Sequence, residues 1–244
     1  MARILVTNDD GIDSPGLLAL ARVAAGRGHD VVVAAPKAEA SGSGASIVGA
    51  DEHGRVSFER RELEGLEAYA VGAAPALIAL LGAHGSFGPA PDLVLSGINR
   101  GANVGRVVLH SGTVGAALTA GANGSRGLAV SLDVGLRPET LHWGAGAEAA
   151  GAVLDAVLAA EPGTVVNVNA PNTAGLAELV WARLASFGIV QALVAEPGDE
   201  GGARLTIADP LSELEPGTDA ALLRDGFAVA TAITGVGETA PLAT

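Results

Sequence analysis

Two adjacent carboxylates, Asp9 and Asp10, stand between Asn8 and Gly11, where the apolar run Ile4-Leu5-Val6-Thr7 ends and Ser14-Pro15 opens a helical pattern. In α/β proteins the turn from a strand's carboxyl end into a helix is a usual place for a ligand site. Neighbouring carboxylates crowded into one turn repel each other unless a cation or a proton sits between them, and a metal is the simplest resolution. An Asx-type turn or an early helix cap would use the same residues with no ligand at all. Companions elsewhere in the chain have to decide.

Three further segments supply them. Ser41-Gly42-Ser43-Gly44-Ala45-Ser46 follows a strand pattern, and its glycines let amides and hydroxyls approach a ligand closely. A flexible connection has the same composition. In the segment from Ser96 to Gly105, Asn99 can offer its carbonyl oxygen to a cation and its NH₂ to a phosphate, and Arg100 can grip an anion with two N–H groups. A capped turn is the alternative there. His110-Ser111-Gly112-Thr113 leads into a helical pattern, so free amides and hydroxyls face any anion at that end, with phosphate the natural guest. Ordinary capping by Ser111 or Thr113 needs no guest, and His110 is assigned no role. Two carboxylates, a serine hydroxyl and an asparagine carbonyl make an all-oxygen set suited to Mg²⁺ or Mn²⁺. The expected chemistry is phosphoryl transfer. A cation would bridge a phosphate oxygen and the attacking oxygen, with residues 111–113 and Asn99 stabilising charge, and Asp9 or Asp10 would orient or deprotonate water.

Positioning these residues requires a particular scaffold. Strand patterns at 4–7, 31–35, 93–96, 128–132 and 164–169 alternate with helical patterns at 15–25, 74–81, 113–122 and 141–160, the rhythm of a parallel sheet. The expected fold is α/β, a Rossmann-like, mostly parallel sheet with helices on both faces. The core should occupy residues 1–171. Residues 172–244 form a smaller part with short strands at 178–184, 189–195 and 204–208, a projecting hairpin among them, a short helix at 220–223 and a strand at 227–233 returning to the sheet. An isolated hairpin is marginal in water, so this one is expected to meet a second subunit.

Composition narrows the class. The chain has 244 residues, enough for a substantial core, and no cysteine, which excludes disulfides, thiolate ligands and a cysteine nucleophile. The amino terminus reaches the acidic turn before any signal-length apolar stretch, and no apolar run is long enough to span a membrane, so a cytoplasmic protein is expected. A net charge of −13 with scattered basic residues argues against an extended nucleic-acid partner. A small phosphorylated substrate remains compatible, because screening confines distant charge to about 8 Å.

Together Asn8-Asp9-Asp10-Gly11 with Pro15-Gly16, the run from Ser96 to Asn103, and Ser111-Gly112-Thr113-Val114 resemble the signatures of the SurE family. Val165 to Pro171 resembles that family's later core strand, and Gly217-Thr218-Asp219 its late acidic turn, so the likeness spans most of the chain. It implies a metal-dependent 5′/3′-nucleotidase that dephosphorylates nucleoside monophosphates, some members also trimming short polyphosphate. It further implies one divalent ion per subunit held by Asp9, Asp10, Ser41 and Asn99, with Asp9, Asp10 and Asn99 in catalysis. Phosphate would sit on Asn99, Ser111, Gly112 and Thr113, with Asn8, Ser43, Gly44, Arg100 and Asn103 around the substrate. The family forms dimers or tetramers through its carboxy-terminal part. One departure stands out: where the family has Gly-Thr-Pro-Ala-Asp-Cys, this chain reads Gly72-Ala73-Ala74-Pro75-Ala76-Leu77. A nucleotide- or phosphate-binding module with weak or lost turnover is therefore the alternative. An aspartyl-phosphate phosphatase is disfavoured because Asp9 and Asp10 are adjacent, and a dinucleotide oxidoreductase because no Gly-x-Gly-x-x-Gly follows the first strand.

Overall fold

A computed structural model describes residues 1–135, 138–186, 192–197, 203–208 and 214–237. Its centre is a nine-stranded sheet built from β1 (Arg3–Thr7), β2 (Asp30–Pro36), β3 (Phe58–Leu63), β4 (Leu66–Val71), β5 (Leu93–Arg100), β6 (Arg126–Asp133), β7 (Val165–Pro171), β8 (Leu179–Trp181) and β11 (Ala228–Ile233). The spatial order is β3-β4-β2-β1-β5-β6-β7-β11-β8. From β4 through β7 every pair is parallel, while β3 pairs with β4 and β11 with β7 in the antiparallel sense. The expected α/β architecture is therefore present, with β8 and β11 from the carboxy-terminal part extending the core's sheet.

Runs such as Val31-Val32-Val33 and Leu93-Val94-Leu95 are apolar on both faces because both faces are covered. On one side α1 (Pro15–Gly26) and α4 (Trp143–Ala159) bury Leu17, Leu20, Val153 and Leu154 against Ile4, Val6, Leu95 and Val130. Each fully buried leucine stabilises by roughly 1.5–3 kcal/mol. On the other side α2 (Pro75–Ala83) packs Leu77 and Ile78 on Leu5, Val32 and Val94, and α3 (Gly112–Ala122) packs Val114 and Ala117 on Ala129 and Val165. The helical pattern expected at 74–81 is α2, and its Ala76 and Ile78 are fully enclosed.

The order of strands creates the place for a site. The chain moves outward from β1 to β2 and β4, then returns to lay β5 on the other side of β1. Loops leaving the carboxyl ends of β1 and β5 therefore diverge and leave a crevice, the position at which open α/β sheets bind ligands.

Two strands, β3 and β4, have no counterpart in the sequence expectation. β3 reads Phe-Glu-Arg-Arg-Glu-Leu and is exposed along nearly its whole length at the sheet edge, so it carries no apolar alternation. Charged side chains on an edge strand block further pairing. The pair β9 (Ala192–Pro197) and β10 (Ala203–Ala208) forms a separate antiparallel two-stranded sheet. Of the strand expected over 189–195, residues 189–191 lie outside the described residues. A short helix, α5 (Asp219–Arg224), covers the expected 220–223.

Candidate active site

At the carboxyl end of β1 the chain turns sharply because Asn8 folds back on it. Its Nδ2 donates to the Gly11 carbonyl (3.0 Å), and its Oδ1 accepts from the Gly11 amide (3.1 Å). Asn8 is fully buried and acts on the turn, which presents Asp9 and Asp10 to the crevice.

Asp9 is 5% exposed and meets the amino terminus of α3. Thr113 Oγ1 donates to its Oδ1 (2.5 Å) and the Thr113 amide to its Oδ2 (3.3 Å). Its own carbonyl accepts from the Ala40 amide (2.7 Å), which ties the segment after β2 to the same point. Asp10 faces the other side, where its Oδ2 accepts from the Arg100 amide at the end of β5 (3.2 Å), a bond that spans the crevice between β1 and β5. Burial raises the pKa of Asp9, with Thr113 opposing. Burial first, and then the charge of Asp9, push Asp10 up from 3.8 to about 6. Glu39 adds a like charge to both, and the Arg100 cation is the smallest influence on Asp10.

The helix entry is shaped by small residues. Ser111 caps α3, its Oγ accepting from the Val114 amide (3.1 Å). A Cβ on Gly112 would lie 2.5 Å from Ser43 Oγ and 2.9 Å from Asp9 Oδ2, so any side chain there would have to push Ser43 and Asp9 aside. Gly115 is held to glycine in the same way, since a Cβ there would lie 2.2 Å from the Gly44 carbonyl oxygen. The Gly44 amide in turn donates to the His110 carbonyl (3.2 Å). The Ser/Gly loop is thus seated against the start of α3. Ser43 Oγ is buried there and makes no hydrogen bond among the described residues.

β5 carries a register shift between Ser96 and Asn99, which re-aims its last residues. Asn99 Nδ2 donates to the Gly101 carbonyl (2.7 Å), and no hydrogen bond among the described residues uses its Oδ1. Asn103 lies one step away, in a knot of amides. Its backbone amide donates to Asn169 Oδ1 (2.7 Å), its carbonyl accepts from Asn167 and Asn169, and its Nδ2 donates to Ser131 Oγ (2.8 Å). Asn103 therefore anchors its loop to β6 and β7. The strand pattern at 164–169 assigns Asn167 and Asn169 no such role, yet alternating asparagines in Val-Val-Asn-Val-Asn are a sequence sign of such a knot.

Ser41 is exposed and gives its hydroxyl to Glu39. Beside it lies an open cleft of about 440 Å³, lined by Ser41, Ser43, Ser46, Val48, Ala73 and Ala74 among others. The segment that departs from the family pattern is thus part of the cleft wall, while its Ala76 is buried in α2.

The residues present suit a hard cation. Asp9 is buried and Asp10 half-buried, with the charge of Asp9 disfavouring that of Asp10, and among the described residues Asn99 Oδ1 at the end of β5 and the buried Ser43 Oγ are left without a hydrogen bond. The described residues hold no cluster of three His, Cys, Asp or Glu side chains, so amide and hydroxyl oxygens would have to complete the protein's share of ligands.

Asp9, bonded to the start of α3, and Asp10, bonded to the end of β5, thus lie at the switch point of a parallel sheet, the place where α/β proteins hold ligands. Comparison with known proteins agrees. The family model described as "Survival protein SurE" matches residues 4–189, and the chain belongs to the SurE family. A protein of Thermus thermophilus named 5′-nucleotidase SurE 1 is 37% identical over 237 residues, covering 95% of this chain and 91% of its own length. Those named 5′-nucleotidase SurE from Rubrobacter xylanophilus and Methanopyrus kandleri are each 41% identical. The first match covers 76% of this chain and 72% of the relative, the second 70% and 66%. The crystal structure of the SurE protein from Aquifex aeolicus superposes with a TM-score of 0.76 at 27% identity, over 95% of this chain and 93% of that one.

Proposed function

We infer that the protein is a nucleotidase, a phosphomonoester hydrolase that splits nucleoside monophosphates into nucleoside and phosphate with the aid of a divalent metal. The single observation that carries this is the meeting of Asp9, bonded to Thr113 at the start of α3, with Asp10, bonded to the end of β5. Family membership and the names of the relatives point the same way.

In this reading one Mg²⁺ or Mn²⁺ per subunit would be held by Asp9, Asp10 and Asn99, with Ser41, which now gives its hydroxyl to Glu39, completing the set. When bound, the cation supplies positive charge to the phosphoryl oxygens and to the attacking water. The chain's own groups do the rest. The Gly112 amide and the Ser111 hydroxyl receive equatorial phosphoryl oxygens at the positive end of α3. Thr113 holds Asp9 in orientation. Asp10, with Oδ2 on the Arg100 amide, would orient the attacking water, whose proton passes to bulk solvent. The Asn99 side chain and the Arg100 guanidinium add donors to the developing charge. The open cleft bordered by Ser43 and Ala73 receives the leaving nucleoside, and its volume falls within the range of small-molecule sites. We further propose a core of residues 1–171 carrying this chemistry and a carboxy-terminal part, 172–244, through which the protein forms a homodimer or homotetramer in the cytoplasm. No helix among the described residues is long and apolar enough to cross a membrane.

Phosphate release from a panel of nucleoside 5′- and 3′-monophosphates, with Mg²⁺, Mn²⁺ or chelator, tests the reading. Turnover that requires a divalent ion and vanishes in Asp9→Asn supports it. Tight nucleotide binding without product would instead establish a binding module.

A further inference from the structure

The phosphate-binding turn is fed by a 3-10 helix, Gly105–His110, that hangs between Asn99 and Ser111. What holds its start comes from the far end of the chain. Asp219, at the first position of α5, is fully buried, and its carboxylate meets three backbone amides. Oδ2 accepts from Gly105 (2.8 Å), and Oδ1 accepts from Ala185 (2.8 Å) and from Ala220 (2.8 Å). The Asp219 amide also donates to the Arg183 carbonyl (2.8 Å). Next to it Val104 packs into a small core with Ala185, Ala220, Leu223 and Val229. Residues 101–105 are therefore fastened twice, by the asparagine knot on β6 and β7 and by Asp219 on α5.

Among the described residues this enclosed carboxylate meets backbone amides and no cation, a costly way to fasten a loop unless the loop's position matters. We propose that Asp219 is a positioning residue for the Ser111–Thr113 turn, fixing the start of the 3-10 helix so that the Gly112 amide and Ser111 hydroxyl stay aligned for a phosphoryl oxygen. The inference rests on the reading of that turn as the phosphate site. It makes the carboxy-terminal segment a working part of the active site, although Asp219 does not touch substrate. Asparagine at this position would keep the shape but has one oxygen and one NH₂. It would leave either the Gly105 amide or the Ala185–Ala220 pair facing a donor.

The test uses full-length protein at a temperature where circular dichroism shows each variant folded. Calorimetry gives the affinity for inorganic phosphate in the presence of Mn²⁺, and kinetics gives kcat, KM and the Mn²⁺ concentration for half-activation. Asp219→Asn should weaken phosphate at least tenfold and lower kcat/KM by a similar factor, with the Mn²⁺ requirement within twofold. Thr218→Ala, which removes the cap of α5 (Ala221 amide to Thr218 Oγ1, 3.4 Å), is the control. It should lower the melting temperature and leave phosphate affinity within twofold. Phosphate affinity unchanged in Asp219→Asn, or weakened equally in Thr218→Ala, overturns the proposal. If Asp219→Asn does not fold, Val104→Ala loosens the same segment and should weaken phosphate about threefold; no change there overturns it equally. Wild-type protein that binds no phosphate would refute the assignment of the turn itself, a different failure from wild type and Asp219→Asn binding alike.

Discussion

Asp10 ties stability to pH in a direction opposite to that of most carboxylates. Its pKa rises from 3.8 to about 6 in the folded, metal-free protein through burial and the neighbouring Asp9. A raised folded-state value means that the protonated form is favoured by folding. The associated stability is fully present below pH 3.8 and is lost as pH climbs through about 6. A change of this size corresponds to about 3 kcal/mol. Because water reaches part of the side chain, screening reduces the expected share to about 2 kcal/mol. For a chain of this length that is about 4 °C in melting temperature. Asp10→Asn removes the charge and keeps the shape. In chelated protein followed by scanning calorimetry from pH 4 to pH 7.5, the variant should gain on the wild type across this window, ending about 4 °C higher. Adding Mn²⁺ at about one hundred times its Kd should then raise the wild type by about 2.7 kcal/mol and the variant by much less. A difference between the two proteins that stays flat with pH, or that favours the wild type as pH rises without metal, would refute the reasoning.

Other substitutions read the site in different ways. Thr113→Val removes the hydroxyl that orients Asp9 while keeping its shape, and should cost about 1–3 kcal/mol in kcat/KM, read from steady-state kinetics on a nucleoside monophosphate. Gly112→Ala forces a methyl to within 2.5 Å of Ser43 Oγ, so it should displace the Ser/Gly loop, destabilise the fold by about 1–3 kcal/mol in urea titration and abolish measurable turnover. Ala73→Thr adds a hydroxyl to the lining of the cleft; it should change KM among nucleotides differing in base more than it changes kcat, and equal effects on all bases would argue against placing the nucleoside there.

Much of the scaffold was legible because parallel strands covered on both faces must be continuous apolar runs, as in Val31-Val32-Val33 and Leu93-Val94-Leu95. The asparagine-aspartate turn stood out because three consecutive polar residues interrupt such a run. β3 was illegible for the converse reason: Glu59, Arg60, Arg61 and Glu62 are exposed, and an edge strand held by backbone pairing to β4 leaves no hydrophobic trace. Nor could a sequence show how Thr113 divides its bonds. Its residue type suits both a ligand and a neighbour, and only the closeness of α3 to β1 gives the hydroxyl to Asp9. The work of Asn103 and Asp219 was hidden because their partners lie 66 and 114 residues away in the chain.

The central claim is that the carboxyl ends of β1 and β5 grip a divalent ion next to the start of α3. A crystal structure of the protein soaked with Mn²⁺ and phosphate, read by anomalous scattering at the manganese edge, tests it most directly. One manganese peak is expected within about 2.0–2.4 Å of oxygens from Asp9, Asp10 and Asn99, with phosphate on the Gly112 amide. Manganese bound elsewhere, with Asp9 and Asp10 left to waters alone, would contradict it.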